Sequence, residues 1–210
     1  MINVLLADDH KILRDGLKRI IEDTEKIEVT DEANNGDEVL QKIIINSFDV
    51  IVMDISMPNK NGLETLKEMR SQNINIPVLI ISMYPESQYA FRLIKAGANG
   101  YLTKESASDE LIDAIESVAK GRFHISDELA YEMATFIGTK QKSITHENLT
   151  DREYQVMLLI GEGDRVNDIA IQLDLSPKTI STYRSRILQK MKMEKTSDII
   201  RYVILNNLNS

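Results

Sequence analysis

One run constrains this chain more than any other: Phe48-Asp49-Val50-Ile51-Val52-Met53-Asp54-Ile55-Ser56-Met57-Pro58. A short stretch rich in β-branched residues stops at a carboxylate, and a loop with Pro58 and Gly62 follows. Such a run is a strand buried on both faces, as in a parallel sheet covered by helices. Asp54 then lies at the strand's carboxyl end, where open α/β sheets bind their ligands. Two other runs end comparably: Ile2 to Ala7 stops at Asp8 and Asp9, and Val78 to Ile81 stops at Ser82. A short run from Gly100 to Thr103 ends at Lys104. Acids, a hydroxyl and an amine at four strand ends predict a single site.

Between these runs the spacing is helical. Ile12, Leu13, Leu17, Ile20 and Ile21 are expected to face inward from a first helix, and Val39, Leu40, Ile43 and Ile44 from a second. Leu63, Leu66 and Met69 mark a third. A fourth runs from Ser87 to Ala96 and is closed by Gly97; the fifth is expected to start at a Ser108 cap. Strand and helix alternate about five times over residues 1–120, which implies a parallel sheet with helices on both faces.

At this point the segment resembles a response-regulator receiver domain, the flavodoxin-like α/β fold with strand order 2-1-3-4-5. The motif is an acidic pair after strand one, Asp after strand three, Ser or Thr after strand four and Lys after strand five. Here these are Asp8 and Asp9, Asp54, Ser82 and Lys104. The five-part spacing is specific, although an isolated Asp-Asp more often caps a helix and a lone Lys is most often a solvated residue. Met83 after Ser82 and Glu105 after Lys104 depart from the commonest pattern in a way familiar from the NarL/FixJ-type subgroup.

The resemblance implies a chemistry that these residue types can perform. A carboxylate, Asp54, attacks a phosphoryl group and holds it as an acyl phosphate; transfer needs charge neutralisation more than covalent assistance. A hard cation, Mg²⁺, is expected on Asp8, Asp9, Asp54 and the Ser56 carbonyl. Lys104 is expected to pair with the phosphoryl oxygens as a compact charge. Ser82 is expected to donate to them and to draw its loop inward, with Tyr101 as the aromatic that repacks. Ser56 and Tyr84 flank the site and are expected to tune hydrolysis. The implied donor is a sensor histidine kinase.

Composition enters where the second half is concerned. The chain has 210 residues and a net charge of −8, which spread evenly would oppose nucleic-acid binding. It is uneven: residues 147–210 carry nine basic and nine acidic side chains, while residues 1–146 carry 16 and 24. Residues 178–193 include Lys178, Arg184, Arg186, Lys190 and Lys192 and no acid. Local charge decides whether a surface attracts phosphates. Zero cysteines exclude a disulfide framework and thiolate metal sites. With no apolar run near the ~20 residues of a membrane span, a cytoplasmic location and no membrane partner are expected.

Residues 121–148 read as a linker with one short helix from Ser126 to Ile137, on which Leu129, Met133, Phe136 and Ile137 share a side, followed by a flexible polar stretch from Gly138 to Asn148. Residues 149–210 read as four helices. Thr150 and Glu153 form a capping box, Ser176 caps and Pro177 opens the third helix, and Thr196 or Ser197 is expected to cap the last. The pattern Leu-Thr-x-Arg-Glu, Asn-Asp-Ile-Ala, then Leu-Ser-Pro-Lys-Thr-Ile-Ser-Thr-Tyr-Arg-Ser-Arg-Ile resembles the LuxR/NarL-type helix-turn-helix domain.

That resemblance places residues 177–191 in the major groove of double-stranded DNA. Ile180, Ile187 and Met191 face inward, while Lys178, Ser181, Thr182 and Ser185 form the face pointed at the bases. Thr179, Tyr183, Arg184, Arg186 and Lys190 complete the expected DNA contacts, the basic ones at phosphates. Ile199, Ile200, Val203 and Ile204 on the last helix are expected to pair two chains on activation, imposing two half-sites. Two rivals follow from the same residues. A phosphatase would use the same aspartyl-phosphate chemistry but needs a further acid-base residue, which the sequence lacks. A protein-binding helical domain is opposed by the all-basic stretch. The receiver pattern excludes an acyl-homoserine-lactone sensor.

Overall fold

The computed structural model describes residues 1–138, 146–206 and 208, apart from the side chains of residues 132, 135–138 and 147. Five strands, β1 (Ile2–Ala7), β2 (Ile27–Ala33), β3 (Val50–Asp54), β4 (Val78–Ser82) and β5 (Gly100–Thr103), form one parallel sheet ordered β2-β1-β3-β4-β5. The helices α1 (Lys11–Glu22), α2 (Gly36–Ile45), α3 (Gly62–Ser71), α4 (Glu86–Lys95) and α5 (Ala107–Ala119) supply the crossovers. Alternation splits each strand between two cores. Val4, Leu6, Val50, Val52, Leu79 and Ile81 pack on Leu17 and Ile21 of α1 and on Leu111, Ile115 and Val118 of α5. Leu5, Ile51, Met53 and Ile80, equally buried, point the other way.

Three expectations about these helices need correction. Ile12 is 90% exposed and Ile44 77% exposed, although both were expected inward. Each lies five residues from a buried anchor of its helix, Leu17 and Val39, and is therefore turned about 140° away from it. The place left in the buried stripe of α1 is taken by Arg14. Ser108 does not cap α5; Ser106 holds the cap position, and its hydroxyl bonds Thr103 instead of the helix.

The chain divides into two compact units, Met1–Thr135 and Phe136–Ser210. In the first, the segment after α5 returns along the sheet edge: the Tyr101 N–H donates to the His124 carbonyl, and the His124 N–H to that of Asn99. The Ser126 N–H donates to the Glu86 carboxylate at 3.2 Å, and helix α6 (Asp127–Gly138) follows with Leu129 buried. The side chains of Phe136 and Ile137 and all of residues 139–145 lie outside the described residues. The second unit has a 3₁₀ turn (His146–Asn148) and helices α7 (Asp151–Glu162), α8 (Val166–Gln172), α9 (Pro177–Met191) and α10 (Thr196–Leu205). Asp198 reaches back to the Lys195 and Glu194 N–H groups, so neither Thr196 nor Ser197 caps α10. Among the described residues no helix is long and apolar enough to cross a membrane.

Candidate functional site

Strand register assembles the first site. Ala7 is level with Met53, so Asp8, one residue on, stands beside Asp54. Asp54 is level with Ile81, and Ser82 with Thr103, which puts Ser82 and Lys104 just past the acids at the same sheet end. A parallel ladder rises about 3.3 Å per residue, so these side chains converge without any unusual loop. The Lys104 amine lies 2.8 Å from Asp54 Oδ2 and 2.9 Å from Asp8 Oδ2. All three are nearly sealed from solvent, with side-chain exposures of 5, 4 and 2%. Asp9 is exposed beside them, its carboxylate 2.9 Å from His10 Nδ1.

Burial raises the Asp54 carboxyl above its ordinary value and the Asp8 charge adds to the effect, opposed by Lys104 and the Ser56 N–H. Burial also pulls the Lys104 amine down, but the two carboxylates outweigh it and hold it above the ordinary lysine range. Oxygen and nitrogen atoms of Asp8, Asp9, His10 and Asp54 lie within 4.8 Å of one another, a spacing that suits one cation. Carboxylate oxygens dominate the set, which fits a hard divalent ion. Ser56 is an exposed residue whose N–H supports the Asp54 carboxylate.

Ser82 is fully buried and its hydroxyl accepts the Tyr84 N–H at 3.1 Å. Tyr101 is buried, 3% exposed, and its hydroxyl donates to the Tyr84 carbonyl at 2.7 Å. Burial pushes its phenol upward. Met83 is 71% exposed. Sequence reasoning missed Arg14, whose guanidinium donates to the Asp8 main-chain carbonyl and, at 2.8 Å, to Glu32. The signal was available: Arg14, Leu17 and Ile21 follow i, i+3, i+7.

In the second unit the Ser176 hydroxyl accepts the Thr179 N–H at 3.1 Å, and Pro177 begins α9. Ile180, Ile187 and Met191 are buried, as the spacing requires. Lys178, Thr182, Ser185 and Arg186 are exposed, and Thr179, Ser181, Tyr183 and Arg184 half-buried. The Thr182 and Ser185 hydroxyls donate to the carbonyls of Lys178 and Ser181, leaving their lone pairs outward. Lys190, expected at phosphates, instead closes on buried Glu153 at 2.6 Å. The Glu153 carboxyl, which burial would raise, is held below the ordinary range by Lys190 and Thr150. Ile199 and Val203, expected at a dimer contact, have zero exposure and belong to the unit's own core. A Cβ on Gly161 of α7 would come within 2.5 Å of Val203, so the missing side chain of Gly161 is what lets Val203 of α10 pack there. Ile200 is half-buried, and only Ile204 of the four is well exposed, at 51%.

Two family models match the chain. Residues 4–116 match the family model of the response regulator receiver domain, and residues 147–203 that of bacterial regulatory proteins of the luxR family. The chain is 36% identical over 209 residues to the response regulator UvrY of Escherichia coli (strain K12), covering 99% of this chain and 96% of that protein. It is 35% identical over 200 residues to the response regulator GacA of Pseudomonas aeruginosa, covering 95% and 92%. In fold it is similar to RcsB from Salmonella enterica serovar Typhimurium, solved bound to the promoter rprA in the presence of phosphomimetic BeF3−. There the TM-score is 0.64 and the identity 22%, over 97% of this chain and 99% of that one. The chain belongs to the two-component response regulators of the NarL/FixJ type, in which a receiver domain is joined to a LuxR-type DNA-binding helix-turn-helix domain.

Proposed function

We infer that Asp54 accepts a phosphoryl group from a sensor histidine kinase, and that this controls transcription through DNA binding by α9. The observation that carries the reading is the Lys104 amine bridging two buried carboxylates within a cation-sized cluster of donors. An Asp54 oxygen forms the new bond to phosphorus; the bond to the kinase imidazole nitrogen breaks, and its electron pair leaves with that ring. Lys104 neutralises charge on the transferred oxygens, and the Ser82 hydroxyl donates to one of them. Asp8, Asp9 and Asp54, with the Ser56 carbonyl, would hold Mg²⁺, which supplies charge neutralisation and alignment when bound. The receiver promotes only its own phosphorylation and dephosphorylation, with no turnover of an external substrate.

The domains are assigned as 1–120, a linker at 121–148 and 149–210. On α9, Lys178, Thr179, Ser181, Thr182, Tyr183, Arg184, Ser185 and Arg186 meet DNA. The relation to RcsB, whose promoter complex contains a phosphomimetic, supports that pairing of events at the level of fold. Dimerisation on paired half-sites is assigned to the exposed part of α10 around Ile200 and Ile204, and the working compartment is the cytoplasm. Intact mass after incubation with a small phosphodonor and Mg²⁺ tests the first step. Wild type should gain one phosphoryl group and Asp54→Asn none; equal labelling of both would remove Asp54 from the mechanism.

A further inference from the structure

Arg14 is a charged side chain inside an otherwise apolar stripe, only 8% exposed. A buried guanidinium needs a carboxylate and further acceptors to offset its lost hydration. Its Nε donates to Glu32 Oε2 at 2.8 Å, while Nη1 donates to the main-chain carbonyl of Asp8. Lys18, one turn further along α1, holds the other Glu32 oxygen at 2.9 Å. Hydrogen bonds from Arg14 first and Lys18 second keep the Glu32 carboxyl below its ordinary range. The fork therefore joins α1 and β2 to the residue where β1 ends.

Asp8 is held on every side. Its N–H donates to the Ala33 carbonyl at 3.1 Å, Oδ1 accepts the His10 N–H at 2.8 Å and Oδ2 accepts Lys104 at 2.9 Å. Arg14 supplies the remaining restraint, on the carbonyl, at the pivot between the buried carboxylate of Asp8 and the exposed one of Asp9. We propose that Arg14, anchored by Glu32, is a positioning residue for the cation site, fixing the peptide that carries Asp8 and Asp9. The inference rests on the reading of the acidic pocket given above. Partners one layer behind a metal ligand commonly contribute 10–100-fold in affinity by orienting it.

The sign of the effect separates positioning from simple charge. A guanidinium near a cation site repels the cation, so through-space electrostatics alone predicts tighter binding when Arg14 is removed. Positioning predicts weaker binding.

The test is calorimetric titration of the Mg²⁺-free full-length chain with Mg²⁺, with a thermal melt of each variant in Mg²⁺-free buffer. Arg14→Ala should weaken Mg²⁺ roughly 10–100-fold. Lys18→Ala, which touches Glu32 but not Asp8, should stay within about twofold, as a half-exposed ion pair allows. Arg14→Lys keeps the charge but loses the planar fork that spans Asp8 and Glu32; it should melt close to wild type yet retain the Mg²⁺ defect. Should Arg14→Ala not fold, Glu32→Gln is read in its place and should weaken Mg²⁺ by roughly threefold to tenfold. Unchanged or tighter binding in folded Arg14→Ala, or in Glu32→Gln, overturns the proposal and leaves the pocket reading intact. Absence of Mg²⁺ binding and of phosphoryl uptake in wild type overturns both.

Discussion

Gly62 is a position where a single methyl group should do harm to fold and site together. Its N–H donates to the Ile55 carbonyl at 2.9 Å, folding the loop after β3 back towards the end of that strand. A Cβ there would lie 2.3 Å from the Asp54 carbonyl oxygen, 3.1 Å from Ile55 Cα and 3.2 Å from Asp54 C. Ordinary contact would require a separation larger by about 1 Å, and all three atoms are main chain, so no flexible side chain can give way. Helix propensity pulls the other way: Gly62 opens α3, and Ala in place of Gly gains up to about 1 kcal/mol in a helix. Overpacking typically costs about 1–3 kcal/mol and lies at the upper end where a strand paired on both sides must move. The net expectation is destabilisation by about 2 kcal/mol, a midpoint lower by roughly 5–10 °C. Displacement of Asp54 should also slow phosphoryl uptake, on the order of tenfold to a hundredfold. Gly16→Ala is the control, because nothing lies within 4 Å of its Cβ in the middle of α1. It should stabilise by about 0.5–1 kcal/mol. Melts followed by circular dichroism, with mass time courses on the same samples, decide the matter. If Gly62→Ala melts above wild type, or is phosphorylated at the wild-type rate, close approach is not what makes glycine necessary there.

Asp54 is raised above 3.8 by burial, so the folded state holds its proton more tightly than the unfolded chain and stability is lost as pH climbs through the folded value. In Mg²⁺-free buffer the midpoint advantage of Asp54→Asn should therefore be small near pH 4, grow as pH rises and then level off; an advantage constant with pH would contradict this origin. Lys190→Ala strands the Glu153 carboxylate, and since Lys190 is 38% exposed the loss should be about 1–2 kcal/mol in the second unit, with little change in DNA affinity. A large DNA defect without loss of stability would return Lys190 to the phosphate contacts. Lys178→Ala and Arg184→Ala should each weaken DNA binding and reduce its logarithmic salt slope by about one. Unchanged slopes in gel-shift titrations would place the docking face elsewhere.

The sheet and its site were legible because each depends on a short-range signal. Apolar runs of strand length mark β1, β3 and β4 wherever they pack, and the chemistry sits one residue past their ends, so order along the chain became order in space. Ile12 and Ile44 were misplaced for a related reason. Spacing identifies a stripe only approximately, and an isoleucine 140° from the anchor reads as core; on α1 the buried place goes to Arg14 instead. Dimer contacts were the least legible. Apolar residues at i, i+1, i+4 and i+5 of α10 are compatible with an inner or an outer face. Room for Val203 on the inner face comes from Gly161, a residue distant in sequence whose side chain is missing. Lys190 was lost to the same kind of tertiary event, since Glu153 lies 37 residues before it.

How a charge at Asp54 would travel follows from one residue, Tyr84. Tyr84 gives its N–H to the Ser82 hydroxyl and takes the Tyr101 hydroxyl on its carbonyl, so the two expected switch residues hold one residue from both ends. Ser82 can donate to a phosphoryl oxygen only by reorienting its hydroxyl, and any pull on the β4–α4 loop that accompanies this moves the acceptor on which Tyr101 rests. Tyr101 is buried, so its ring cannot drift; it keeps its bond or repacks as a unit, the discrete behaviour a two-state element requires. Its own N–H is committed to the carbonyl of His124, in the segment that returns along β5 after α5. Electrostatics favours the displacement: the carboxylates of Asp8, Asp9 and Asp54 gather at one sheet end beside the Lys104 amine, so the pocket is poised to answer a divalent cation and a phosphoryl group.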